Sequence, residues 1–119
     1  MLRLAMVSLV WLLASHGPLA AEMCVLAPGE GAIAEGKLVV SEGAFILEIE
    51  EPICLPGEEE FDGVGPTQRI HLTPDGEKIQ QALEQHRGKA ISVRGSMFAM
   101  HTDQHKAPLV MMTKEVTVK

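Results

Sequence analysis

Tyrosine is missing from this 119-residue chain, and other aromatics are scarce: three phenylalanines and one tryptophan, Trp11. Proteins that hold single-stranded nucleic acid stack bases on aromatic rings inside a basic groove. Neither feature is provided here, because ten Lys and Arg face sixteen Asp and Glu, a formal charge of −6. Nucleic acid is therefore excluded as a partner. Catalytic motifs are lacking too: there is no Gly-x-Ser-x-Gly elbow, no His-Glu-x-x-His pair and no glycine-rich phosphate loop. The carboxylates crowded between Glu48 and Asp62 could in principle supply an acid–base pair. A chain this small with no sign of a substrate cleft reads instead as a binding protein, not an enzyme, and no cofactor is expected.

Long hydrophobic runs are limited to one, Leu4 to Ala14, eleven residues that are too few to cross a bilayer. Arg3 precedes it, His16-Gly17-Pro18 breaks it, and Leu19-Ala20-Ala21 offers small residues for cleavage. That order is the signature of a secretory signal peptide over residues 1–21, leaving residues 22–119 as a single exported domain, periplasmic or secreted. A lipid anchor on Cys24 is rejected, because Glu22-Met23 stand where a small residue is needed. With no second apolar run, no membrane partner is expected after cleavage. Loss of Arg3 leaves nine basic residues against sixteen acidic ones, a charge of −7.

Cysteine is nearly absent: Cys24 and Cys54 are the only two. In an oxidising compartment they are expected to bond, closing a loop of about 30 residues for roughly 3–4 kcal/mol.

The rest of the chain reads as short strands around one helix. Met23 to Gly36 is rich in Ala, Gly and Pro, an irregular lead-in. Lys37–Ser41 and a second strand, from Phe45 to near Pro52, flank the turn at Glu42-Gly43, and Cys54 follows at the second strand's rim. Pro56 to Pro66 is a polar loop, densest in charge at Glu58-Glu59-Glu60. Arg69–Leu72 is a third strand, and Thr73-Pro74-Asp75 starts a helix. On that helix Ile79, Ala82, Leu83 and His86 form one stripe, and Gly88 caps its end. His86 on this stripe is a half-buried, hydrogen-bonded residue rather than a ligand, whereas His71, alternating with Ile70 and Leu72, faces outward.

Lys89–Phe98 puts Ile91, Val93 and Met97 on one face, with Gly95 marking a bulge or bend. Pro108–Val118 is the last strand, with Val110, Met112, Val116 and Val118 sharing one parity. The order β-β-β-α-β-β implies an all-β fold with one helix, a small five-stranded OB-fold-like barrel.

Pro52-Ile53-Cys54, Gly88-Lys89, Val93-Arg94-Gly95, Met97-Phe98-Ala99, His101-Thr102, His105 and Pro108 together resemble a bacterial secreted family known as domain of unknown function 4431, over about residues 36–118. In that family the last hairpin typically reads His-Thr-Gly-His-His. This chain keeps His101, Thr102 and His105 but has Asp103-Gln104 between them. The resemblance implies a location and a fold, not an activity.

That hairpin holds the candidate site. His101, Thr102, Asp103 and His105 could contact a partner, and His101 and His105 with Met97 and Met100 could ligate copper or zinc, thioethers favouring Cu(I). Against this, methionines near a barrel are adaptable core filler. The leading expectation is a binding module for another exported protein or a small ligand. An inhibitor or immunity-type protein, using its acidic loop on a basic enzyme, is one version.

Overall fold

Ala32, Ala34 and Leu38 are buried while Ile33, Glu35 and Lys37 face solvent, a period of two that makes Ala32–Ser41 one continuous strand. This strand is β2 of a computed structural model that describes residues 24–57 and 63–119. The expected signal peptide and the Glu58-Glu59-Glu60 patch lie outside the described residues. Val25–Leu26 form a two-residue β1, followed after β2 by β3 (Ala44–Leu55), β4 (Val64–Pro74), α1 (Glu77–Gln85), β5 (Ala90–Ala99) and β6 (Leu109–Val118).

Pairing runs β3-β2-β5-β6-β4, and β4 pairs back onto β3, so five strands close into a barrel. The β4–β6 contact is parallel and the other barrel contacts are antiparallel. The extra strand β1 lies parallel to the far end of β3, with Val25 opposite Ile53 and Leu26 opposite Cys54. This is the OB-fold-like, mostly β architecture with one helix that the element order implies. The interior is filled by Leu38, Leu47, Ile70, Leu72, Ile91 and Met111, and Leu83 closes it from α1. Each such side chain contributes about 1.5–3 kcal/mol by leaving water.

Two glycines let strands approach where any side chain would collide. A Cβ on Gly36 would overlap the Glu48 carbonyl, at the point where β2 crosses β3. A Cβ on Gly95 would overlap the Met112 carbonyl and press on the Met111 side chain. There the register slips: Arg94 faces Glu115 but Gly95 faces Thr113, so Lys114 is the extra residue of a bulge in β6.

Several expectations need correction. The lead-in is not irregular throughout, since β1 and the first half of β2 fall within it. Strand β4 begins at Val64, and it accommodates Pro66 before its pairing with β6 starts at Ile70. Pro74 ends a strand instead of opening a helix, because it pairs with Thr113 and the Asp75 amide still donates to the Thr113 carbonyl at 2.9 Å. The helix starts at Glu77, with His86 as its C-cap and Gly88 two residues beyond. In β6 the inward residues are Leu109, Met111 and Thr113, and only after the bulge does Val116 return to the core.

Candidate functional site

Cys24 and Cys54 are bonded, with Cα atoms 5.8 Å apart, so the expected disulfide is present. It pins β1 against β3, and the Ala27 amide beyond β1 donates to the Cys54 carbonyl at 2.9 Å. This clamp holds Val25 at the side of a groove, the first of two places where chemistry gathers.

The groove opens because β2 changes partners. Residues Lys37–Ser41 pair with β3, whereas Ala32–Lys37 pair with β5. On the side away from β5, Ala32–Gly36 therefore has no strand partner among the described residues. Between this edge and β3 lies a cavity of about 700 Å³, with Val25, Ile33 and Ile53 among its lining residues. Glu35, Glu48, Glu50 and Glu51 also line it, against Lys37 and Lys119. Lys119 is already engaged with Glu35 at 2.7 Å, so the groove carries an excess of negative charge.

The second place is the last hairpin loop, which folds back onto the outside of the barrel. Direct cross-strand neighbours form a row there: Val39 opposite Ile46, Ile46 opposite His71, His71 opposite Val110, and Val110 opposite Phe98. Ala107 is buried against Ile46 and Ala44, with Val39 beside them, in a small core separate from the barrel interior. His105 meets His71 and Phe98 edge-on at 5.5 and 5.7 Å between ring centres, and stacks on His101 at 4.8 Å.

Hydrogen bonds fix this loop. The Lys106 amide donates to His71 Nδ1 at 2.9 Å, and the His101 amide donates to His105 Nδ1 at 3.3 Å. The Gln104 amide donates to Thr102 Oγ1, and Lys106 Nζ to the Asp103 carbonyl. Burial, then the charges of His105 and Lys106, push the His71 pKa below the ordinary histidine value. Because Nδ1 accepts, the proton of neutral His71 sits on Nε2.

The structure thus brings His101 and His105 together and adds His71, which faces outward from β4 as its alternation with Ile70 and Leu72 implies. Met97 is 4% exposed and points into the barrel, on the opposite side of the sheet from the imidazoles. Met100 is half exposed at the loop's start, and Thr102 and Asp103 are exposed. Among the described residues, no three His, Cys, Asp or Glu side chains are arranged to hold a metal ion. His86 is satisfied within its helix, its Nδ1 lying 2.6 Å from the Ala82 carbonyl.

A barrel of this order with an extra strand defines a small OB-fold-like protein. More particularly, residues 69–117 match the model of a family described as Domain of unknown function (DUF4431), the family this sequence resembles. The match runs from β4 through β6 and includes His71, Phe98, His101 and His105; the disulfide and most of the groove lie before it. No curated protein and no solved structure matches the chain significantly.

Proposed function

We propose that this protein is an exported, non-enzymatic binding module that holds an extended, basic segment of another protein along the open edge of β2. The observation that carries the reading is the groove itself, where an unpaired strand edge runs beside carboxylates. Strand addition gives affinity through main-chain hydrogen bonds, while alternate side chains of the added strand find pockets or charges. Ile33 and Val25, each about half exposed, offer apolar contact to such a segment. Glu50 and Glu51 set the preference for Lys and Arg and speed encounter. The disulfide is compatible with an oxidising compartment and so supports export.

Fluorescence anisotropy with a labelled peptide of alternating lysine and valine tests this. Saturable binding is expected, weakening as salt rises, with little binding of the matched glutamate–valine peptide. Reversing Glu50 and Glu51 together (Glu50→Lys, Glu51→Lys) should lower affinity about tenfold, equivalent to about 1.4 kcal/mol. Equal binding of both peptides, or indifference to the reversal, would count against the proposal.

Carriage of copper or zinc by the last hairpin is the competing reading, favoured by the convergence of His71 on His101 and His105. Two features weigh against it. Nδ1 of His71 and of His105 already accepts a backbone amide, and Met97 is on the wrong side of the sheet. Calorimetric titration with Zn(II) or Cu(I) is expected to show no saturable binding. One equivalent bound by the wild type and lost in His101→Ala/His105→Ala would reverse that ranking.

A further inference from the structure

We propose that Glu35 selects a basic side chain of the bound segment, and that Lys119 occupies Glu35 in the free protein as a built-in competitor the segment must displace. This inference rests on strand addition at the open edge of β2. It goes further by naming the residue that selects within the segment and the residue that opposes it.

Glu35 owes its role to its place in the strand. Within the unpaired stretch Ala32–Gly36 it is the one charged residue, and it is exposed and lines the groove. A strand laid along that edge places one of its own side chains directly across from Glu35, about 4.5–5.5 Å away between Cβ atoms. Opposite charges at such a position attract and like charges repel, so a carboxylate there favours Lys or Arg over Asp or Glu. The other lining carboxylates are placed differently. Glu48 stands across from Lys37 in the β2–β3 ladder, and Glu50 and Glu51 belong to β3, on the far wall of the groove. They attract a basic segment as a whole, whereas Glu35 is on the strand whose register fixes which side chain it meets.

Lys119 already supplies the kind of group this position takes. Its amide donates to the Ala90 carbonyl at 3.2 Å, which holds the residue beside β5. Its ammonium lies 2.7 Å from Glu35 Oε1. Glu35 pairs with Ser92 of β5, and Val118 with Ile91, so the lysine reaches Glu35 across β5, from the side opposite the open edge. A segment added at the open edge brings its cation to the same carboxylate from the other side. Two ammonium groups on one carboxylate repel each other. Both side chains of the existing pair are about half exposed, so the pair is weak and readily broken. Lys119 therefore lowers affinity for a basic segment without closing the groove.

Fluorescence anisotropy with the labelled lysine–valine peptide at low salt tests this on the wild type, Lys119→Ala, Glu35→Gln and the double variant. Lys119→Ala should bind about threefold more tightly, the scale of an exposed ion pair. Glu35→Gln should bind about threefold more weakly. Adding Lys119→Ala to Glu35→Gln should gain much less than it does in the wild type, because the competitor has lost its hold. Lys114, the bulged residue of β6, does not line the groove, so Lys114→Ala removes an equal charge and should leave affinity almost unchanged. A gain of affinity does not arise from a damaged fold. Unchanged or weaker binding by Lys119→Ala, an equal gain in the Glu35→Gln background, or an equal gain from Lys114→Ala would overturn the inference. Strand addition would survive each of these if the wild type still bound the peptide and still lost affinity when Glu50 and Glu51 are reversed. No binding by either the wild type or Lys119→Ala would overturn both.

Discussion

Replacing both cysteines (Cys24→Ser with Cys54→Ser) is expected to cost about 3–4 kcal/mol, as estimated for a closed loop of this length. For a domain of this size that loss lowers the melting temperature by about 15 °C or more. The structural reason goes beyond chain entropy. Strand β1 has two residues, both exposed, and cannot hold its place by burial. Freed of the disulfide, it should fray from Ile53 and Cys54, leaving the groove without Val25. Reduction should therefore weaken peptide binding even at temperatures where the barrel stays folded. Thermal melts with and without a reductant, paired with anisotropy on the same samples, check both effects. A melting temperature that moves by only a degree or two would contradict this account of β1.

Gly95→Val is expected to be comparably disruptive, by about 3 kcal/mol or more, because the new side chain meets backbone it cannot push aside. Gly95 is paired on both sides, with Ala32 in β2 and Thr113 in β6, so β5 has no free edge toward which to retreat. Its Cβ would overlap the Met112 carbonyl at the bulge that re-phases β6. Displacing that carbonyl would disturb the inward set Leu109, Met111 and Thr113. Gly65→Ala is the control, since nothing lies within 4 Å of a Cβ there; it should change stability by less than about 0.5 kcal/mol. Chemical denaturation of the two variants beside the wild type makes the comparison. Similar midpoints for all three would mean that the strands do not approach as closely as described.

Where pattern and burial coincide, the fold was legible in the sequence. Leu47 to Glu50 alternates between buried and exposed, the stripe of Ile79, Ala82, Leu83 and His86 packs Leu83 into the core, and Gly95 marks an irregularity. The misses have physical causes. Ala32 and Ala34 are buried by closeness of packing, not by size, so small residues there looked like a loop. Lys114 carries no sign of being the bulged residue, and the parity of β6 read through it pointed the wrong residues inward. His71 could not be linked to the hairpin from spacing, because it meets Lys106 across 35 positions through strand pairing alone. The groove was equally invisible locally, since it arises where one strand exchanges partners.

Amide exchange of the protein bound to the lysine–valine peptide tests the central claim most directly. If an extended basic segment adds to β2, amides within Ala32–Gly36 that point away from β5 should become protected, at alternate positions, as in any strand pairing. Residues 101–107 should be unaffected at neutral pH. Protection that appears on that loop instead, or that spreads without alternation over the acidic surface, would contradict the claim that the open edge of β2 is where this protein binds.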